Sequence, residues 1–367
     1  MNRCRACRSE DLSRVLDLGQ VPAGDHFPDV DEPVSVAESA HSLAMNLCRA
    51  CGLAQLADDD TAAEEPRGIE PQVLRDQAAS AVERVAAAGW LNGRTVTEFH
   101  SPHGGTWTPL MTERGFATAC PADLVVDSFG MMHEPDQRHA LAQRAAATLP
   151  GGVLLLQFHS LAAIVRHGQW NALRHGHFAY YSLASLMRLL KTVGLNVVTA
   201  WSFDLYGGTI LIAAVHGNAV PDDLVTSILS QESGTTDPEF VAQLQTAADD
   251  HVHALRSWLQ LESDAGRKVY AYGAASRAAA LFQLAEVDRT LLRAVADASP
   301  QKHGRRMPGT DVPIIPPAEL IAANPDRVLL TVPDLIDEVR RSYPQLDGRW
   351  HIDNAQLGST SEEGLHK

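Results

Sequence analysis

Apolar positions along this chain change period several times, and the changes mark out elements. From Arg75 to Trp90 the Ala, Val and Leu positions follow helical spacing. Arg94–Phe99 then reads as a strand, followed by the Gly-containing turn His100–Gly105 and a helix over Thr106–Arg114. Ala122–Phe129 is a strand, Glu134–Leu149 a helix and Gly152–Phe158 a buried strand. A helix over Ser182–Val193 precedes strands at Asn196–Phe203 and Thr209–Val215. This strand–helix alternation predicts an α/β sheet domain over 61–218. Residues 219–262 form a helical connector, with Val241, Leu244, Val252, Leu255 and Leu259 on one face. A second α/β unit, 263–355, opens with the strand Lys268–Tyr272, a turn at Gly273–Ser276 and a helix from Arg277 to Ala285. Leu291–Asp297 and Arg327–Val332 are its further strands, and Gly304–Gly309 is a basic turn. The acidic, Pro-containing stretch 58–72 reads as a linker, and the polar tail 356–367 as disordered.

The first sixty residues carry different information. Cys4 and Cys7 form one C-x-x-C pair, Cys48 and Cys51 a second, and the fifth cysteine, Cys120, stands apart. Each pair places two thiolates on a tight turn, and two such turns complete a tetrahedron at Zn–S distances of about 2.3 Å. The expectation for 1–60 is a small module around one structural zinc ion. A redox role fits less well, because neither pair sits at a strand-to-helix junction.

Composition narrows the function. Hydrophobic residues make up 45% and charged residues 20% of 367, as in ordinary globular proteins. No apolar run approaches the ~18 residues of a membrane span, and no leader pattern follows Met1. The expected location is the cytoplasm, without membrane contact. A formal net charge of −15 argues against a nucleic-acid partner but leaves room for a small phosphorylated ligand.

Four stretches then carry a resemblance to a family. They are Leu16–Pro22 between the Cys pairs, with Cys51-Gly52-Leu53-Ala54-Gln55-Leu56 closing them; Arg174-His175-Gly176-His177-Phe178-Ala179-Tyr180-Tyr181; Tyr206-Gly207-Gly208-Thr209; and Tyr272-Gly273-Ala274-Ala275 with Asp297, Lys302, His303 and Pro308-Gly309-Thr310 downstream. The chain resembles the C-methyltransferases that act on nucleotide-linked keto-deoxysugars in antibiotic pathways. The resemblance implies an α/β protein in three parts: a zinc module, a Rossmann-like domain that binds S-adenosylmethionine (SAM), and a C-terminal Rossmann-like domain.

Departures from that family cluster at the methyl donor. Where the family has a Glu-Ile-Gly-Ser-Asn-Asp-Gly loop, this chain has Glu98-Phe99-His100-Ser101-Pro102-His103-Gly104. The resemblance places Glu98, His100, Gly104, Gly105 and Phe129 around the donor. Only Phe116–Pro121 separates the first helix region from the next strand, so the second strand, its helix and the third strand are missing or reduced. The acidic residue that ordinarily holds the ribose has no counterpart.

On the acceptor side the resemblance makes His177 the base that deprotonates next to a ketone. His175 supports it, and Arg174 stands where the family has Tyr. Tyr206 belongs to the same pocket. Seven His, including His100, His103, His133, His159 and His167, raise a metal site as an alternative use. The turn Gly273–Ser276 lacks a full dinucleotide fingerprint; contact with the substrate's nucleotide or sugar suits it better, with Arg277, Lys302, Arg305 and Arg306 as charge. The leading expectation is a C-methyltransferase acting on a nucleotide-activated sugar. The alternatives are a SAM-independent epimerase, isomerase or lyase using the same enolisation, and a non-catalytic partner protein.

Overall fold

A computed structural model describes residues 3–61, 70–102 and 104–353. Residues 62–69 of the predicted linker, His103 and the tail 356–367 lie outside them. Among the described residues no helix is long and apolar enough to cross a membrane.

Three sheets carry the fold. The first is antiparallel and four-stranded, in the order Leu12–Val21, His41–Cys48, Ala54–Leu56, Ala179–Tyr180. Its fourth strand comes from far along the chain, two residues after His177. The insert between the Cys pairs, long for a ribbon, has two uses. It builds this hairpin, and through the half-buried Glu38 it grips the buried Arg306 in an ion pair at 2.6 Å. The Gly304–Gly309 turn is thus a domain fastener, with Arg305 also donating to the Phe27 carbonyl.

The second sheet is the central domain. Its six strands run Ala117–Thr118, Thr95–Phe99, Ala122–Ser128, Thr148–His159, Thr209–His216, Leu195–Phe203. Pairings are parallel as far as Thr148–His159 and antiparallel beyond it. The expected reduction is visible. The edge strand has two residues, no third strand lies outside it among the described residues, and the helix after the donor loop shrinks to Thr108–Thr112. The chain returns from Thr118 to Ala122 through Cys120 and a cis Pro121.

Inside this domain Asp127 and Arg144 form a buried ion pair at 2.8 Å. The other Asp127 oxygen accepts from the Gly130 and Met131 amides, and the Arg144 guanidinium lies 4.1 Å from the centre of the Phe99 ring. A buried charge is tolerable when paired and hydrogen-bonded in this way. The network fixes the turn that presents Phe129.

The third sheet is parallel: Ile314–Ile315, Val295–Ala296, Val269–Tyr272, Arg327–Leu330, Trp350–Ile352. Before it, the predicted connector splits into Asp223–Gln231 and Pro238–Asp264. The longer helix buries Val241, Leu244, Leu255 and Leu259. It packs on the strand Leu12–Val21, so the first and last parts of the chain share one core.

Candidate active site

The zinc module bears on the site through backbone. Cys4 and Cys51 sulfurs lie 3.6 Å apart and Cys7 and Cys48 sulfurs 3.5 Å, with all four donor atoms within 4.8 Å of one another. A tetrahedron of sulfurs at about 2.3 Å from zinc has edges of roughly 3.8 Å, so the donor set fits the ion. Protons alone serve this cluster poorly. The hydrogen bond from Cys51 holds Cys4 low, at about 5, while the same bond and burial push Cys51 up. Burial and the Cys4 charge raise Cys48 to about 11. A divalent cation lets all four ionise, and four thiolates leave no open position for a reaction.

Arg5, between the first two ligands, donates to the Leu56 carbonyl at 3.2 Å and lies 4.7 Å over the Phe178 ring. The strand Ala54–Leu56 pairs with Ala179–Tyr180. Phe178 is held on both sides, its amide donating to the Met132 carbonyl and its carbonyl accepting from Leu56. Gly176, at φ +75, donates its amide to Asp59 at 2.7 Å and its carbonyl contacts His133 Nδ1 at 3.0 Å. His177 is therefore fixed from both chain directions, with the His133 ring 4.4 Å from its own in an edge-on contact. Arg5 and Asp59 were missed by motif reading, because neither belongs to a pattern until the strands pair.

His177 lines a cavity of about 820 Å³ that receives all three parts of the chain. Arg174, Tyr206, Phe129, Gly104 and Gly105 share it. Three predicted residues, His175, His100 and Glu98, are absent from its wall. His175 is buried on the other side of the turn, with Nε2 3.2 Å from the Ser42 carbonyl and its pKa lowered by burial. His100 is exposed. Glu98 is spent locally. Its carboxylate accepts from the Trp107 amide, the Thr108 amide and hydroxyl, and the Thr106 hydroxyl, capping the short helix.

Phe129 and Tyr206 meet edge to face, 5.7 Å apart, and both have left-handed backbone, φ +60 and +57. Bulky residues adopt that region only where their surroundings impose it, most often at functional sites. Tyr206 lies 5.9 Å from His159, which burial and the nearby Arg277 hold neutral, with a pKa of about 3. Burial raises the Tyr206 hydroxyl. Among the described residues the four cysteines form the one group of three or more His, Cys, Asp or Glu placed to hold a metal.

Comparison with known proteins follows the same three parts. A zinc binding domain profile matches residues 4–64, a methyltransferase domain profile 37–200, and a profile described as C-methyltransferase C-terminal domain 204–350. Together the three profiles span residues 4–350 and give the chain the domain set of a C-methyltransferase. The C-methyltransferase NovU of Streptomyces niveus is 24% identical over 411 residues, covering 96% of this chain and 95% of the relative. That aligned stretch exceeds 367 residues, so the relative carries segments that this C-methyltransferase lacks. Among solved structures, 1,6-didemethyltoxoflavin-N1-methyltransferase of Burkholderia thailandensis is 12% identical with a TM-score of 0.32, covering 45% of this chain and 96% of its own. Magnesium protoporphyrin IX methyltransferase of Synechocystis is 13% identical with a TM-score of 0.29, covering 41% and 90%.

The methyl donor of this family is SAM, and the donor loop can be tested for it. A Cβ on Gly104 would meet nothing within 4 Å, so the backbone there is open to a ligand. Gly105, at φ +81, has the Glu70 carboxylate 2.9 Å from where a Cβ would stand. Among the described residues that carboxylate accepts no hydrogen bond and forms no ion pair, and it lines the cavity. An open loop beside an uncommitted carboxylate fits the cationic end of SAM. At the ribose end, Ala119 and Cys120 follow the edge strand where an acidic residue ordinarily stands.

Proposed function

We propose that this C-methyltransferase acts on a carbon next to the ketone of a nucleotide-linked deoxysugar, with His177 as the base. One observation carries the reading. His177 is clamped between the zinc module and the Met131–His133 turn of the central domain, and it lines one cavity with the donor loop and the Gly273–Arg277 turn.

SAM would lie along Gly104 and Gly105 with Glu70 at its cationic end, and it supplies an electrophilic methyl group. The protein's own work is on the acceptor. The His177 imidazole takes the proton from the carbon beside the ketone, and the electron pair moves to the carbonyl oxygen as an enolate. Cationic and hydrogen-bonding groups in the wall stabilise that charge better than water does, because they are already oriented. Phe129, Tyr206 and Phe178 exclude solvent from the reacting carbon.

The test is solvent exchange. Nucleotide-linked keto-deoxysugars incubated in deuterium oxide should gain deuterium beside the ketone, and His177→Ala should slow this by about 10²–10⁴-fold. Exchange at the wild-type rate in that variant would overturn the role of His177. A second reading has one observation in its favour, the two-residue edge strand. It has the enolate recapture a proton instead of a methyl group, and it predicts exchange with no methylated product when SAM is added.

A further inference from the structure

Four cations near the C-terminal turn stand out in the sequence, and three are consumed by the fold. Lys302 Nζ donates to the Ala274 carbonyl at 2.8 Å and lies 4.0 Å from Asp297. Arg305 holds the Phe27 carbonyl and Arg306 the Glu38 carboxylate. Arg277 is different. It opens the helix Arg277–Leu284, lines the cavity and, among the described residues, makes no hydrogen bond or ion pair.

A second cation reaches the same place from another domain. Arg174, in the turn before His177, donates Nη1 to the Ser276 hydroxyl at 2.7 Å, beside Arg277 in the chain. Among the described residues its buried Nε has no acceptor. The two guanidinium groups repel, and this adds to the burial that already disfavours the Arg277 charge. Asp334 and Asp353 act on Arg277 from a distance, but both are engaged, Asp334 by the Tyr206 amide at 3.0 Å and Asp353 by His251 at 2.7 Å. Two cations at one cavity wall without a paired carboxylate are a cost in the empty protein. A doubly charged anion removes the cost, and guanidinium forks match oxyanions in geometry.

We propose that Arg174 and Arg277 together clamp one dianionic oxyanion group of the acceptor, a phosphoryl or a dicarboxylate group, across the junction of the central and C-terminal domains. The clamp rests on the reading that this cavity takes the acceptor, and it adds what that reading leaves open: the charged group of the substrate and the residues that select it. Because one arginine comes from each domain, the bound anion also ties the two domains together.

The experiment uses the full, zinc-loaded chain, with calorimetry and thermal unfolding in inorganic pyrophosphate, inorganic phosphate and malonate. Pyrophosphate should bind and raise the melting temperature. Arg174→Gln and Arg277→Gln should each weaken binding at least tenfold, and the double variant by less than the product of the two. Arg138→Gln, an exposed site, should bind as wild type. Arg174→Lys and Arg277→Lys keep the charge and should retain part of the affinity, which separates loss of the clamp from loss of the fold. Tighter binding of malonate than of either phosphate would assign the clamp to a carboxylate and count against a nucleotide-linked acceptor. Unchanged affinity in both Gln variants, or no anion binding by the folded wild type, overturns the clamp. Deuterium exchange is read separately. Exchange without anion binding sinks the clamp alone, and anion binding without exchange sinks the enolisation reading alone.

Discussion

Glu70 and Glu98 show how a residue's role depends on what else reaches it. Glu98 occupies the family's acidic position, yet four donors of its own loop saturate it. Glu70 belongs to no motif, yet among the described residues its carboxylate stands uncommitted against Gly105. If it meets the cationic end of SAM, Glu70→Gln should weaken SAM binding by about 1.5–3 kcal/mol, tenfold or more, as for other contacts to a charged group. Calorimetry reads this directly, and equal affinity in the variant would remove Glu70 from the donor site. His159 offers a second test at this scale. Its folded pKa, about 3, lies below its ordinary value near 6.5. Between those values the unfolded chain binds the proton and the folded chain does not, so stability falls as pH falls through that window. The contribution is at most about 1.4 kcal/mol per pH unit. Melting temperatures at pH 7.5 and 5 should show the loss, and His159→Gln should flatten it; an unchanged slope would show that His159 titrates normally.

Among elements, the short strand Ala179–Tyr180 has the largest leverage. Two residues make a weak strand alone, but this one completes the zinc module's sheet and begins two residues after His177. In the proposed reaction a metal at the four cysteines would support His177 through a backbone path: ligand turn, strand Ala54–Leu56, strand Ala179–Tyr180, His177. Metal analysis should find one zinc ion per chain. Chelation, or Cys51→Ser, should unfold the module, because the site's binding energy is folding energy. It should also abolish deuterium exchange while leaving much of the far-ultraviolet circular dichroism of the other two domains. Full exchange activity in the zinc-free protein would break the proposed path. The shortened central sheet acts in the opposite sense, removing the wall that follows the edge strand and leaving the donor loop to its own residues and Glu70.

For the molecule as a whole, local signals settled the elements and the domain order. The helix expected over Ser182–Val193 runs from Leu183 to Lys191 with Ser182 as its cap, and the spacing of Val241, Leu244, Leu255 and Leu259 marked the helix that buries them. The two C-x-x-C pairs specified a tetrahedral thiolate site, because adjacent ligands on one turn need no distant information. The short interval Phe116–Pro121 likewise announced the reduced sheet, since too few residues remain for a full βαβ unit. Boundaries were less legible: the strand expected over Leu291–Asp297 is only Val295–Ala296, as pairing partners set strand length. The site divided in the same way. His177, Arg174, Tyr206 and Phe129 could be named from motifs, whereas which of them share a cavity depended on strands pairing across more than a hundred residues. Only tertiary structure turned His175 toward Ser42, spent Arg306 on Glu38 and brought Arg174 beside Ser276. Sequence by itself determines what a side chain can do; packing decides which partner reaches it first, and for Glu98 and Arg277 that decided which was committed to the fold and which was left for a ligand.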